Sequence, residues 1–201
     1  DGTTSRGLGD VYKRQYISGI ILFDETFHQS ELSSGKKFPE YLSSKNILPG
    51  IKVDQGLEDF SPYEKLTKGL DGLSERLEKY YSLGAKFAKW RAVITPGDSI
   101  PTDDCILANA KNLAKYAKKC QQANLVPIVE PEVLMDGVHT IDESFEITSR
   151  TLNMVFDQLD EHNVSLQGIV LKPNMILSGY ECPYQASIEE VAEKTINCLS
   201  A

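Results

Sequence analysis

Short apolar runs alternate with segments of helical pattern from residue 16 onward, and this alternation restricts the fold more than any other feature. Apolar runs bounded by turn residues are typical of strands buried on both faces of a sheet. Strands that alternate with helices imply right-handed βαβ units and therefore a parallel sheet. We expect a solvated loop at Asp24 and Glu25, and a long polar loop before residue 73. The predicted strands are residues 18–23, 50–53, 87–93, 125–129 and 168–171, and the predicted helices are 38–44, 73–83, 102–123, 140–161 and 187–199.

Two common architectures are built from βαβ units, and the sequence separates them. A dinucleotide-binding Rossmann domain carries a GxGxxG fingerprint, which this sequence lacks. The (β/α)8 barrel, or TIM barrel, needs eight units. Five are present, and the sequence stops after a helix, where a sixth strand is expected. We therefore predict the α/β fold class, as an incomplete (β/α)8 barrel with about five of its eight βα units.

The first 15 residues differ in character from the rest of the chain. They are polar and aperiodic, and Ser5–Gln15 resemble the in-frame translation of a transposase adapter used in DNA sequencing libraries. We interpret residues 1–15 as a non-native or disordered tail and residues 16–201 as the partial barrel. On this interpretation the gene is truncated and the chain before Tyr16 has been lost. A genuine flexible tail is the alternative.

Composition and charge argue against several classes of function. The formal charge of −8 is unfavourable for general nucleic-acid binding, which needs a basic surface. No apolar run approaches the roughly 20 residues of a membrane span. The four cysteines form no CxxC pair and the three histidines are isolated, so we expect no metal site. Widely spaced cysteines fit a reducing cytosol, and we predict a cytoplasmic protein.

Charged residues lie at the ends of four predicted strands. In a parallel barrel, side chains at the carboxyl ends of the strands converge on one active site. Residues two apart in a strand point to the same face, which groups Lys89 with Arg91 and Glu130 with Glu132. Chance charges at strand ends do not usually alternate cation and anion in this way. The candidate site residues are Lys52, Lys89, Arg91, Glu130, Glu132 and Lys172.

Lys172 directly follows the last apolar run, Gly168–Leu171. A lysine at the end of a buried strand is unusual, because lysine is almost never fully buried without a partner. A neutral amine is a nucleophile that forms a Schiff base with a carbonyl, and the neighbouring ammonium of Lys89 disfavours a second positive charge. Glu130 and Glu132 can shuttle the proton needed to dehydrate the carbinolamine. The alternative is that Lys172 simply reaches solvent.

Lys52 and Arg91 suit anionic oxygens, and phosphate in particular. Together with a Schiff-base lysine and two carboxylates, they predict a carbon–carbon lyase that acts on a phosphorylated ketose. The iminium accepts the electrons of the carbanion that cleavage produces.

The segments that carry these residues resemble class I fructose-1,6-bisphosphate aldolase. The resemblance runs from about Tyr16 to Leu199, in motifs that follow one another in the family's order. It implies that Lys172 forms the Schiff base with dihydroxyacetone phosphate and that Glu130 is the acid/base. The motifs are GIKVDQG, GLDGLSER, FAKWR, CQQANLVPIVEPE and LKPNM.

The resemblance also assigns the remaining candidates. It implies that Glu132 assists the acid/base and pairs with Lys89, and that Lys52 and Arg91 help to bind the substrate and its phosphate. Family members are typically homotetramers of closed barrels that work in glycolysis and gluconeogenesis. They act on phosphorylated sugars without a metal or other cofactor.

Several features of the family are not found in the sequence. The AADES motif of the first strand, the SGGQ segment of the seventh, the arginine of the eighth and the carboxyl-terminal tyrosine have no counterpart. We therefore expect the first and the last two barrel strands to be missing, and the polypeptide alone to be poorly soluble and inactive. Two alternatives stay open: another Schiff-base lyase, such as a transaldolase or deoxyribose-phosphate aldolase, or a binding surface without catalysis.

Overall fold

A computed structural model describes residues 16–200 of the chain, so the prediction of an unpacked tail at 1–15 lies outside the described residues. The described residues form seven strands and six longer helices. The strands are β1 (Gly19–Leu22), β2 (Leu48–Lys52), β3 (Leu57–Ser61), β4 (Glu64–Thr67), β5 (Phe87–Ile94), β6 (Val126–Val133) and β7 (Val170–Leu171). The helices are α1 (Asp24–His28), α2 (Phe38–Ser43), α3 (Leu73–Ser82), α4 (Asp103–Gln122), α5 (Ile141–Glu161) and α6 (Ile188–Leu199).

Five strands form one parallel sheet in the order β1-β2-β5-β6-β7. The strands follow one another in chain order, apart from a separate hairpin of β3 and β4 between β2 and β5. This is the order that successive right-handed βαβ units give on the way to a barrel. The prediction of a parallel α/β sheet is therefore confirmed, and in the described residues the sheet has two edges.

The long helices begin at side chains that cap their free backbone N–H groups. The hydroxyl of Thr102 accepts a hydrogen bond from the Cys105 N–H at the start of α4. At the start of α5, Thr140 and Glu143 form a reciprocal capping box. These caps fix where α4 and α5 start, and so where the loops after β5 and β6 end.

The main core lies between the sheet and α4. Trp90 on β5 is fully buried and stacks on Tyr116 of α4, with ring centroids 5.4 Å apart. The Tyr116 hydroxyl donates to the Ala88 carbonyl at 2.7 Å, which satisfies this polar group inside the core. Trp90 thus faces the helices, while its neighbours Lys89 and Arg91 face the opposite side of the strand.

The structure corrects two loop predictions. Asp24 and Glu25 open the short helix α1, and the Asp24 carboxylate accepts a hydrogen bond from the Tyr80 hydroxyl at 2.6 Å. The long loop before α3 contains the antiparallel hairpin β3–β4. The strand residues of β3 are mostly exposed, so they lack the apolar alternation that marks a half-buried strand. Tertiary contacts hold the hairpin instead: the Thr67 hydroxyl donates to the Arg91 carbonyl at 2.8 Å.

The last strand is shorter and more exposed than predicted. Of the expected strand 168–171, Gly168 belongs to a 3-10 turn, and β7 keeps two residues. Val170 is 49% exposed, and β7 is an edge strand of the described sheet. Burial on both faces, as predicted for this run, needs packed elements that cover each face.

None of the helices within residues 16–200 is long and apolar enough to cross a membrane.

Candidate active site

The charged candidates meet at the carboxyl end of the sheet because the strands are parallel and in register. Lys52 of β2 pairs with Lys89 of β5, and Arg91 of β5 pairs with Glu130 of β6. Directly paired residues on neighbouring strands project from the same face of the sheet. The register therefore brings cations and carboxylates from β2, β5 and β6 into one row.

Glu130 is at the centre of this row, and its side chain is 3% exposed. One carboxylate oxygen, Oε2, lies 2.6 Å from the Lys89 Nζ. The other, Oε1, accepts a hydrogen bond from the Lys172 Nζ. A buried carboxylate needs compensating charge, and two ammonium groups on the strands at either side supply it.

Lys172 reaches Glu130 from the end of β7. Its backbone N–H donates to the Val129 carbonyl of β6 at 2.8 Å, which extends the ladder by one bond beyond β7. The Lys172 side chain is 53% exposed, so the end of the strand does not bury it. It nevertheless points to the inner row rather than to the helix side, since its amine contacts Glu130.

Arg91 and Glu132 form a second ion pair in the same row. This arrangement corrects the pairing of Glu132 with Lys89 that the family resemblance implied, because Lys89 contacts Glu130 instead. The register explains the difference: Arg91 is opposite Glu130 and Val93 is opposite Glu132, so Lys89 lies further from Glu132 along the strands. The long side chain of Arg91 carries its guanidinium to Glu132, two residues further along β6.

Asp54 is a residue of this row that the sequence reasoning missed. It forms an ion pair with Lys52, whose amine also donates to the Asp54 carbonyl at 3.3 Å. The Asp54 side chain is 6% exposed, far less than its Lys52 partner. The signal was present in the sequence, because Asp54 follows Lys52 by two positions and the same rule of alternation groups them.

Asn174 is the second missed residue. Its side-chain oxygen accepts a hydrogen bond from the Val133 N–H at the end of β6. It lies two positions after Lys172, in the LKPNM motif that the sequence analysis singled out. No charge marks it, so the search for charged strand ends passed over it.

The row is suited to proton transfer at an amine. A carboxylate in hydrogen-bond contact with a lysine can take a proton from the ammonium and return one to a leaving group. Lys89 contacts the other oxygen of the same carboxylate. An amine and a carboxylate are thus in contact, and contact of this kind can activate a nucleophile for covalent catalysis.

Within 16–200, no three histidine, cysteine or acidic side chains converge in the way that would hold a metal ion. All four cysteines are buried and free.

The parallel sheet has the strand order of an α/β barrel, and a lysine and a carboxylate are in contact at its carboxyl end. These features place the chain in the class of α/β-barrel proteins. The family model described as fructose-bisphosphate aldolase class-I matches residues 9–201. The chain belongs to the class I fructose-bisphosphate aldolase family, as the motifs predicted.

Relatives and a solved structure agree with this assignment. A protein of Xanthomonas axonopodis pv. citri (strain 306), named probable fructose-bisphosphate aldolase class 1, is 54% identical over 92% of this chain and 56% of its own length. Cytosolic fructose-bisphosphate aldolase 4 of Arabidopsis thaliana is 46% identical over 92% of this chain and 47% of its own.

The solved structure is the aldolase of Plasmodium falciparum, in a ternary complex with TRAP and a small-molecule inhibitor. It superposes with a TM-score of 0.89 at 46% identity, covering 93% of this chain and 55% of the other. The chain therefore spans about half the length of the aldolases it matches, and the prediction of an incomplete barrel is confirmed.

Proposed function

We propose that this chain carries the Schiff-base centre of a class I aldolase, which cleaves fructose 1,6-bisphosphate reversibly to dihydroxyacetone phosphate and glyceraldehyde 3-phosphate. The observation that carries the proposal is the position of Glu130, in contact with both Lys172 and Lys89. A nucleophilic amine, its base and a stabilising cation are the parts that iminium catalysis requires.

The covalent step begins when Glu130 takes a proton from the Lys172 ammonium. The free amine attacks the ketone carbon of the substrate, and a carbinolamine forms. Glu130 then returns a proton to the carbinolamine hydroxyl, which leaves as water, and the nitrogen lone pair completes the C=N bond of the iminium. Because Glu130 contacts the amine directly, one residue serves as base in the first step and as acid in the second.

Carbon–carbon cleavage follows from the iminium. A base removes the proton of the hydroxyl next to the bond that breaks, and the aldehyde product leaves. The bonding electrons move into the iminium and give an enamine, which is then protonated on carbon and hydrolysed to release dihydroxyacetone phosphate and the Lys172 amine.

Phosphate binding falls to Lys52 and Arg91 in this proposal. Both cations form ion pairs with carboxylates, Lys52 with Asp54 and Arg91 with Glu132. A phosphate dianion has to compete with those carboxylates, or share the cation with them, and Arg91 offers a further set of N–H donors for this purpose. Glu132 therefore acts on the substrate through Arg91 rather than through Lys89.

The wider biological setting is part of the same proposal. We infer a homotetramer of complete barrels that acts in the cytoplasm, in glycolysis and gluconeogenesis, without a metal or other cofactor. The family membership and the cytosolic Arabidopsis relative support this setting. The degree of identity to relatives named fructose-bisphosphate aldolase favours this substrate over those of a transaldolase or deoxyribose-phosphate aldolase.

Borohydride trapping tests the covalent step. The 201-residue chain is incubated with dihydroxyacetone phosphate, reduced with sodium borohydride and digested for mass spectrometry. We expect the peptide that contains Lys172 to gain the mass of dihydroxyacetone phosphate less one oxygen atom, as reduction of an iminium requires. Peptides with the exposed lysines Lys86 and Lys115 serve as internal controls and should stay unmodified.

Lys172→Arg is the matched variant, because it keeps the positive charge beside Glu130 and removes the nucleophilic amine. We expect it to abolish trapping. An adduct that persists in Lys172→Arg, or one that is spread evenly over the surface lysines, contradicts the proposed role of Lys172.

A further inference from the structure

Few backbone hydrogen bonds hold Lys172 in place. β7 pairs with β6 through two registered pairs, Val170 with Ile128 and Leu171 with Val129, whereas β5 and β6 share eight. The Lys172 N–H adds one more bond, to Val129. Pro131 of β6, the residue after Glu130, has no N–H, so β6 cannot donate the next bond of the ladder at that position.

The next bond toward the end of β6 comes from the Asn174 side chain. Its Oδ1 accepts from the Val133 N–H at 3.1 Å, and Val133 directly follows Glu132. Its Nδ2 donates to the Thr148 hydroxyl of α5 at 3.2 Å and to the Met175 carbonyl at 3.0 Å. Asn174 therefore links the segment after Lys172 to the strand that carries Glu130 and to the helix behind it.

The buried position of Thr148 fixes one end of this link. It lies in the middle of α5 and is 1% exposed, so its hydroxyl is fixed by the packing of the helix. The link replaces the ladder bond that Pro131 cannot make. It uses both functions of the carboxamide, an acceptor for Val133 and a donor toward Thr148.

We propose that Asn174 is a positioning residue that holds the Lys172 amine against Glu130. This inference rests on the proposed Schiff-base function for its consequence, but the contact that it concerns exists without a substrate. When the link is lost, the exposed Lys172 side chain leaves Glu130, and the amine loses its base. Positioning errors of about 1 Å can cost roughly 100-fold in rate, so we expect a 10- to 100-fold loss.

The test compares Asn174→Ala with the parent chain in two assays. The first is the rate of borohydride-trapped adduct formation at Lys172 with dihydroxyacetone phosphate. The second is acetylation of Lys172 by acetic anhydride over a pH series, measured by mass spectrometry relative to Lys86. We expect slower trapping and a changed acetylation profile, because the Lys172 amine has lost its contact with Glu130.

Two further variants separate positioning from general damage. Asn174→Asp keeps the acceptor for Val133, and the Thr148 hydroxyl can donate to the new carboxylate, so most of the trapping rate should return. Asn112→Ala removes a part-buried asparagine whose side chain bonds the Thr67 carbonyl, away from Lys172, and should leave both assays unchanged. If Asn174→Ala does not fold by circular dichroism, Thr148→Val removes one end of the link with little change in shape. It should give a smaller change in both assays.

The outcomes discriminate between the two proposals. A parent chain that is not trapped at Lys172 contradicts the proposed function, and the acetylation profiles still decide the role of Asn174. Profiles of Asn174→Ala and Thr148→Val that coincide with the parent overturn the positioning role. Equal losses in Asn174→Ala and Asn112→Ala also overturn it, because they indicate a general loss of packing.

Discussion

The two halves of the candidate site are held in different ways. Glu130, Lys89 and Arg91 project from β5 and β6, which pair over eight residues and pack through Trp90 onto α4. Lys172 projects from the end of β7, which has two paired residues and a half-exposed edge. The carboxylate is thus fixed by the core, whereas the amine depends on a short ladder and on Asn174.

This contrast has a chemical consequence. A buried carboxylate between two cations is costly to move, because each displacement leaves charge without a partner in a poorly solvated place. A half-exposed lysine can leave and return at small cost, since water solvates it on the way. We interpret the β5–β6 pair as the fixed half of the site and β7 as its adjustable half. The predictions below test this division.

The largest expected effect concerns complete turnover. We expect the 201-residue polypeptide, expressed alone, to be poorly soluble and to show no measurable cleavage of fructose 1,6-bisphosphate. Orientation of a substrate can supply roughly 7–11 kcal/mol, and the described residues offer it few phosphate donors beyond Lys52 and Arg91. A coupled assay that reports glyceraldehyde 3-phosphate, with Lys172→Ala as control, makes the measurement. Turnover in the parent and not in the variant contradicts the expectation.

Removal of Trp90 should show how much the fixed half depends on its core. Trp90→Ala deletes a fully buried ring that stacks on Tyr116, and we expect a loss of about 3–5 kcal/mol in the free energy of unfolding. Urea denaturation followed by circular dichroism measures this loss. A change of less than about 1 kcal/mol is well below the range for a buried tryptophan and contradicts the proposed core.

Glu130→Gln tests the acid/base at nearly constant shape. The amide cannot take a proton from Lys172, so we expect adduct formation with dihydroxyacetone phosphate to slow by at least about 100-fold. Glu132→Gln is the matched control on the same strand and should slow it less, because Glu132 contacts Arg91 rather than Lys172. Equal effects of the two variants refute the assignment of Glu130 as the residue that exchanges protons with the amine.

The β3–β4 hairpin, which bonds to β5 through Thr67, makes the stability of the chain depend on pH. Burial opposes ionisation of Glu64, but hydrogen bonds from Thr102 and Ser61 outweigh it and hold the Glu64 pKa below its ordinary value of 4.5. A lowered folded-state pKa contributes stability above the ordinary value, and this contribution is lost as the pH falls through the folded-state pKa.

Glu64→Gln should therefore lower stability at neutral pH by about 1–3 kcal/mol, since it weakens buried hydrogen bonds. It should also flatten the acid side of the pH–stability curve. Urea midpoints measured from neutral pH down through the acid range test both effects. A parent and variant with parallel curves show that Glu64 does not titrate as proposed.

The smallest expected effect is on stability, from a substitution on the edge strand β7. Val170→Ala truncates a half-exposed side chain on β7, and we expect a change within about 0.5 kcal/mol, as for surface substitutions in general. The comparison with Ala88→Gly on the buried strand β5 uses the same urea assay, and the β5 variant should lose more. If Val170→Ala costs more, β7 is better supported than its two paired residues indicate.

Much of the fold could be predicted from the sequence because its signals are local. The alternation of apolar runs and amphipathic segments predicted the five parallel strands and the main helices. Motif order predicted the family. Five of the six charged candidates also proved to be brought together by register, at Lys52, Lys89, Arg91, Glu130 and Glu132, because alternation along a strand fixes which side chains share a face.

The features that could not be predicted depend on contacts between segments that are distant in sequence. The hairpin β3–β4 carries weak strand signals and is held by Thr102, Arg91 and Asn109, which lie on other elements. Which cation pairs with which carboxylate depended on register and side-chain length, so Lys89 contacts Glu130 and Arg91 contacts Glu132. The exposure of Lys172 depended on what lies beside β7, which an apolar run cannot report.

The sequence by itself thus determined the strand–helix order, the family and the charged groups at the strand ends, because these follow from residue type and spacing along one chain. Only the tertiary structure decided the ion pairs, the burial of Asp54 and the link from Asn174 to Val133 and Thr148. The physical reason is that hydrogen bonds and charge pairs act over a few ångströms. Their partners are therefore known only once the sheet has brought residues distant in sequence side by side.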